Sequence, residues 1–243
     1  MGTVENSTAY TSGTVIMSNH AQLTNPFGST NYDPSINSGA DKVNNVQCKT
    51  SGNFNTISVS SGNTLNMSAT TGGCYSKIDV QGTLTLGDGV YYLVGSGNNN
   101  GLSVGAQGHL TCAHCVFVLT STIDPSANNF SNAVAQISIN GGAEIDLGAP
   151  TSGTYSGISV YRDSRVTSNS SFNINGNSSS TLAGAWYFPK DTLNFNGTAG
   201  MQVTCFQMVA HNLSFSGDAS MTNTCTPPGG SSVWALSQVR LIA

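Results

Sequence analysis

Apolar and polar positions alternate along this chain in short words that end on glycine. Leu193-Asn194-Phe195-Asn196-Gly197 and Leu213-Ser214-Phe215-Ser216-Gly217 share one shape, repeated at Phe172-Asn173-Ile174-Asn175-Gly176, Ile137-Ser138-Ile139-Asn140-Gly141 and Ile78-Asp79-Val80-Gln81-Gly82. Looser copies start at Ile57 and Leu102. An apolar residue at every second position is the period of a strand with one buried face. The closing glycine gives the backbone freedom for a sharp corner. The words begin at 57, 78, 102, 137, 172, 193 and 213, so successive steps are 21, 24, 35, 35, 21 and 20 residues. Strand words at this spacing, with no helical period between them, predict stacked β-coils in which each buries its apolar side against the next. The expected fold is all-β: a right-handed parallel β-helix (β-solenoid) with an N-terminal cap and inserted loops.

A second set of strands follows the words, in runs such as Gly89-Val90-Tyr91-Tyr92-Leu93-Val94 and Gly184-Ala185-Trp186-Tyr187-Phe188. These are more continuously apolar, which favours buried core over a ligand groove. The two 35-residue steps imply loops thrown out of the stack, over residues 120–134 and 164–171, with a Pro- and Gly-rich stretch at 149–153. Residues 1–45 lack the word and are read as a linker and cap, with Val15, Ile16, Met17, Leu23 and Phe27 available to cover the end of the stack; residues 46–243 form the β-helix domain, closed at the far end by 233–242.

Composition narrows the partners. Only 7% of the 243 residues are charged, the net charge is −4, and the seven basic residues are scattered. A chain without a basic patch is not built to neutralise phosphates, so nucleic acid is excluded as a partner. The longest apolar run, residues 115–119, is far short of the roughly 18 residues of a membrane helix. Met1-Gly2-Thr3-Val4-Glu5-Asn6 has neither the basic start nor the apolar run of a signal peptide. A targeting or anchoring segment is therefore expected upstream of Met1.

The six cysteines are sorted by their place in the repeat. Cys205 lies twelve residues after Leu193 and Cys225 twelve after Leu213. Equal offsets in neighbouring coils put them about 4.8 Å apart, within reach of a disulfide. Cys48 and Cys74 flank the first word and form the next pair, and such usage indicates an oxidising compartment. Cys112-Ala113-His114-Cys115, with His109 just before it, could hold zinc or act as a redox pair. Zinc would need a second ligand pair and redox chemistry a helix, so a local disulfide or buried thiols is the reading adopted for Cys112 and Cys115.

Carbohydrate chemistry on such a scaffold needs two facing carboxylates. Glu144 and Asp146 alternate with Ile145 and Leu147 and so point outward from one strand, which reads as a solvated face. Arg162, Asp163 and Arg165 sit at a loop edge and read as an ion pair. No nucleophile, zinc-protease or phosphate-binding motif occurs. The expectation is no enzyme, no catalytic residue, no metal and no cofactor.

Several stretches carry a resemblance. Gly87-Asp88-Gly89-Val90-Tyr91-Tyr92, Leu147-Gly148-Ala149-Pro150-Thr151-Ser152-Gly153-Thr154-Tyr155-Ser156-Gly157-Ile158, Leu182-Ala183-Gly184-Ala185-Trp186-Tyr187-Phe188-Pro189, and the words at Leu193 and Leu213 with Cys205 and Cys225 make the chain resemble the C-terminal region of TadG-like Flp (tight adherence) pilus-assembly proteins of bacteria. The resemblance spans roughly residues 48–225 and its motifs are structural rather than catalytic. It implies an extracytoplasmic domain held in the inner membrane by an N-terminal helix, working as a non-catalytic scaffold with other pilus-assembly or surface proteins as partners. The alternative is a secreted adhesin or glycan-binding module, using the polar face of the words: Ser58/Ser60, Asp79/Gln81, Ser138/Asn140, Asn173/Asn175, Asn194/Asn196 and Ser214/Ser216.

Overall fold

The structure is a computed structural model that describes Cys48, residues 54–96, 101–167, 169–175, 177, 179–197, 201–217 and 221–223. For 201–205 and 221–223 only the backbone is described. The expected N-terminal linker and cap (1–45) and the closing segment 233–242 lie outside these residues.

In chain order the strands are β1 (Asn55–Val59), β2 (Thr64–Met67), β3 (Gly73–Val80), β4 (Thr83–Leu86) and β5 (Gly89–Gly95). Then come β6 (Gly101–Val104), β7 (His109–Cys112), β8 (Cys115–Ser121), the single-turn helix α1 (Phe130–Ala133), β9 (Gln136–Ile139) and β10 (Glu144–Leu147). The chain continues with β11 (Ile158–Arg162), β12 (Ser171–Ile174), β13 (Thr181–Gly197), β14 (Met201–Gly217) and β15 (Met221–Asn223).

The recurring words are lateral neighbours in parallel pairs. Ile57 lies opposite Ile78, Ile78 opposite Leu102, Leu102 opposite Ile137, Phe172 opposite Leu193 and Leu193 opposite Leu213. Their closure is what the sequence reading missed. Instead of a right-handed β-helix, the sheet closes on itself as an eight-strand parallel β-barrel through β3, β5, β8, β11, β13, β12, β9 and β6, with the remaining strands outside the ring. The cause is the length of two strands. β3 pairs near its start with β5 and near its end with β1 and β6. β13 pairs in turn with β10, β11 and β12, and its contact with β11 completes the ring. Alternation marks which face of a segment is buried; it does not say that two segments belong to one strand or where its other end bonds.

Inward positions of β1 to β14 meet in one core, with Ile78, Leu84, Leu93, Leu110, Phe117, Ile145, Leu182 and Phe188 at 0% exposure. Tyr91 stacks between Tyr75 and Phe117, its ring centroid 6.1 and 5.6 Å from theirs. The continuously apolar runs have a second cause for burial. In β8 all seven residues are buried, because Val116 and Val118 on its outer side belong to a separate cluster with Tyr155, Ile158, Tyr161, Ala185 and Tyr187. Tyr161 stacks on Tyr187 at 5.4 Å and Tyr155 tilts against Tyr161 at 5.6 Å.

The word-ending glycines serve two needs: Gly62, at φ +78° in open space, supplies a left-handed backbone, whereas Gly82 is held by lack of room. A Cβ on Gly82 would sit 2.3 Å from the Asn63 carbonyl oxygen and 2.4 Å from that of Ser60. The corner is closed by backbone against backbone, which leaves no room for a side chain.

Candidate functional site

Two of the predicted loops come together. In residues 120–134 the chain leaves β8, turns at Asp124, whose Oδ1 accepts from the Ser126 amide and hydroxyl, and enters α1. Phe130 and Val134 are buried with Val166 of the second loop, and Ile123 packs against them. The Thr167 amide donates to Ser131 Oγ at 2.8 Å, and the Arg165 guanidinium lies 5.2 Å above the Phe130 ring. What the sequence treats as two separate insertions is one mounted unit with its own small core.

The mount is electrostatic. Arg162 and Asp191 are fully buried, with Arg162 Nε donating to Asp191 Oδ2 at 2.8 Å. The guanidinium also donates to the Ala135 carbonyl at 2.5 Å and to Ser170 Oγ at 3.4 Å, and sits 4.8 Å over the Phe172 ring. The second Asp191 oxygen accepts from the Ser170 amide at 3.0 Å. Burial pushes the Asp191 carboxyl up and the Arg162 guanidinium down, each partly offset by attraction to the other. Beside them Asp163, also buried, accepts hydrogen bonds from both the guanidinium and the backbone amide of Arg165 and from Thr120 Oγ1. The Arg162-Asp163-Arg165 group is thus a buried network spanning both loops. Above it, Asp124, Ser126, Asn128, Asn129, Asn132, Thr167 and Asn169 are exposed.

A groove of about 370 Å³ lies elsewhere, between the outer side of β5 and the 149–157 segment, lined by Val90, Tyr92, Pro150, Ser152, Gly153, Thr154 and Tyr155. The segment folds back through the Gly157 amide, which donates to the Pro150 carbonyl at 2.8 Å, with Gly153 and Gly157 at φ +86° and +81°. Burial raises the Tyr92 phenol above its ordinary pKa.

The polar face of the words is a ladder of amides bonded along the stacking direction. Asn194 Nδ2 donates to Asn173 Oδ1 and Ser171 Oγ, Asn196 Nδ2 donates to Asn175 Oδ1, and Ser216 Oγ donates to Asn196 Oδ1. Much of its hydrogen-bonding capacity is spent within the face.

Cys48 and Cys74 are joined by a disulfide with their Cα atoms 5.7 Å apart, and Cys112 and Cys115 by another at 5.8 Å. Cys205 lies on β14 with its side chain outside the described residues, as is the whole of Cys225. Strand alternation separates His109 from the cysteine pair: Cys112 faces the core while His109 and Thr111 face outward. His109 instead meets Glu144 and Asp146, its register partners on β10 being Glu144 itself and, two residues on, the Thr111–Asp146 pair. His109 Nε2 is 3.1 Å from Asp146 Oδ2, 3.9 Å from Glu144 Oε1 and 3.1 Å from Thr111 Oγ1. The sequence held a signal for this grouping, since 144 − 109 = 35 equals the step between the words at 102 and 137. Compared with family models, curated proteins and solved structures, the chain matches none.

Proposed function

We propose that this domain is a non-catalytic extracytoplasmic scaffold of a bacterial adhesive pilus assembly system, contacting its partners through the unit built from residues 120–134 and 164–171. The observation that carries this reading is the investment in that unit. A surface loop needs no buried ion pair, yet Arg162 and Asp191 are both taken fully out of water beneath it. Charges are costly to desolvate, and a buried pair is better suited to holding one geometry than to adding stability. A held, polar, exposed surface is what a recurrent protein contact uses, whereas a solvated loop would serve equally well without the mount. The two disulfides support a location outside the cytoplasm. The pilus system itself comes from the resemblance.

The groove favours a second reading, a glycan-binding adhesin, because Tyr92 and Tyr155 line it and an aromatic ring presents an apolar face with a polar edge to a sugar. The test leaves the buried mount intact and alters only the exposed positions, as Asn128→Arg, Asn132→Arg and Thr167→Arg in the full-length protein. Pilus display and surface attachment fall if the unit is the contact surface. Unchanged display and attachment in a folded triple variant would remove the scaffold reading. Loss of polysaccharide retention in Tyr92→Ala would then support the adhesin.

A further inference from the structure

Outside the loop unit and the groove, His109, Glu144 and Asp146 are a chemically distinct cluster on the outer face of β7 and β10. We propose that these three side chains bind a divalent transition-metal ion of the zinc type. Their donor atoms all lie within 4.8 Å of one another. In a tetrahedral zinc site with bonds near 2.0–2.1 Å, neighbouring donors are about 3.3 Å apart. The 3.1 Å between His109 Nε2 and Asp146 Oδ2 is already at that spacing, and the 3.9 Å to Glu144 Oε1 closes with a small rotation of the partly exposed Glu144 side chain.

The arrangement exceeds what a surface hydrogen bond requires. One carboxylate satisfies an imidazole N–H, but here two approach the same nitrogen, side by side on one strand. Like charges so placed repel, and a cation between them removes that cost. The ion pairs of Lys77, Arg162 and Arg165 are with Asp79, Asp191 and Asp163, away from this face. Asp146 is also oriented from behind: its other oxygen accepts from the Thr181 amide on β13 at 3.2 Å, which aims Oδ2 at the cluster as an outer-shell bond does in a metal site. The strands are paired in register, so the ligand frame is rigid before any ion arrives. An imidazole among the donors selects zinc, copper or nickel over magnesium or calcium. Each side chain is about one-third exposed (35%, 35% and 32%), so an ion can enter and solvent or the Thr111 hydroxyl can take a remaining position. The sequence reading expected no metal, because it set His109 beside the cysteines and Glu144 and Asp146 in solvent.

Tag-free, chelator-treated protein titrated calorimetrically with Zn²⁺ tests the site. Binding of one equivalent in the micromolar range is expected, with at least a tenfold loss in His109→Ala and in Glu144→Gln/Asp146→Asn. All three side chains point outward, so these variants keep the wild-type circular dichroism spectrum. His114→Ala, which removes an exposed histidine paired with Asp88, binds as the wild type does. Wild-type binding weaker than about 1 mM, or equal binding by His109→Ala, overturns the proposal.

Discussion

Removing Asp191 gives the sharpest test of how the loop unit is held. In Asp191→Ala the Arg162 guanidinium stays buried with the Ala135 carbonyl and Ser170 hydroxyl as its remaining partners, and the Ser170 amide loses its acceptor. An uncompensated buried charge costs about 3–5 kcal/mol. At about 2–4 °C per kcal/mol for a domain of this size, Tm falls by roughly 10 °C. Adding Arg162→Met removes the charge itself. What then remains is the Ala135 carbonyl and the Ser170 amide without partners, at about 1 kcal/mol or somewhat more each. The double variant is therefore more stable than Asp191→Ala alone. Thermal and urea unfolding of wild type, both single variants and the double variant give the coupling energy directly. A local readout accompanies it: with Ser170 released, trypsin cuts after Arg165 faster in Asp191→Ala than in wild type. If the costs of the two single changes simply add in the double variant, the pair is not coupled. The loop unit is then not held by the Arg162–Asp191 pair.

Three further outcomes follow from the same structure. Tyr91 is fully buried, its hydroxyl donates to the Gly87 carbonyl at 2.7 Å and the Thr70 carbonyl at 3.1 Å, and burial raises its pKa to about 12. Because the folded value lies above the ordinary value near 10, its contribution is complete below pH 10 and is lost as pH rises towards 12. This is worth about 2–3 kcal/mol, read as an alkaline fall in Tm that Tyr91→Phe abolishes. Gly82→Ala forces a Cβ to 2.3 Å from the Asn63 carbonyl oxygen and lowers stability by about 2 kcal/mol or more in denaturant unfolding. Replacing Cys48 and Cys74 by serine opens a loop of 26 residues' separation and costs about 3–4 kcal/mol without reductant, a difference in Tm that disappears when wild type and double variant are both measured in reductant, which also opens Cys112–Cys115.

Much was legible in the chain alone, wherever the information is local or periodic. The alternation of Ile78 and Val80 with Asp79 and Gln81 marked which side chains are buried, and the repeat spacing marked which words are neighbours. Both follow from the two-residue period of a strand and from each strand's need to cover its apolar face. The same spacing applied to every residue, and not only to the words, would have brought His109 to Glu144. Other features depended on contacts between segments with no common pattern. Ring closure through β3 and β13 rests on how far a strand runs before it bends, and alternation is silent on that. The joining of residues 120–134 to 164–171 rests on Phe130, Val134 and Val166 finding one another across two irregular loops, where no period constrains the partner. Asp191 carried no sequence signal at all: it sits in the middle of β13, among residues that alternate, and only the tertiary structure brings it to Arg162, because a buried guanidinium must find a carboxylate wherever the fold can supply one.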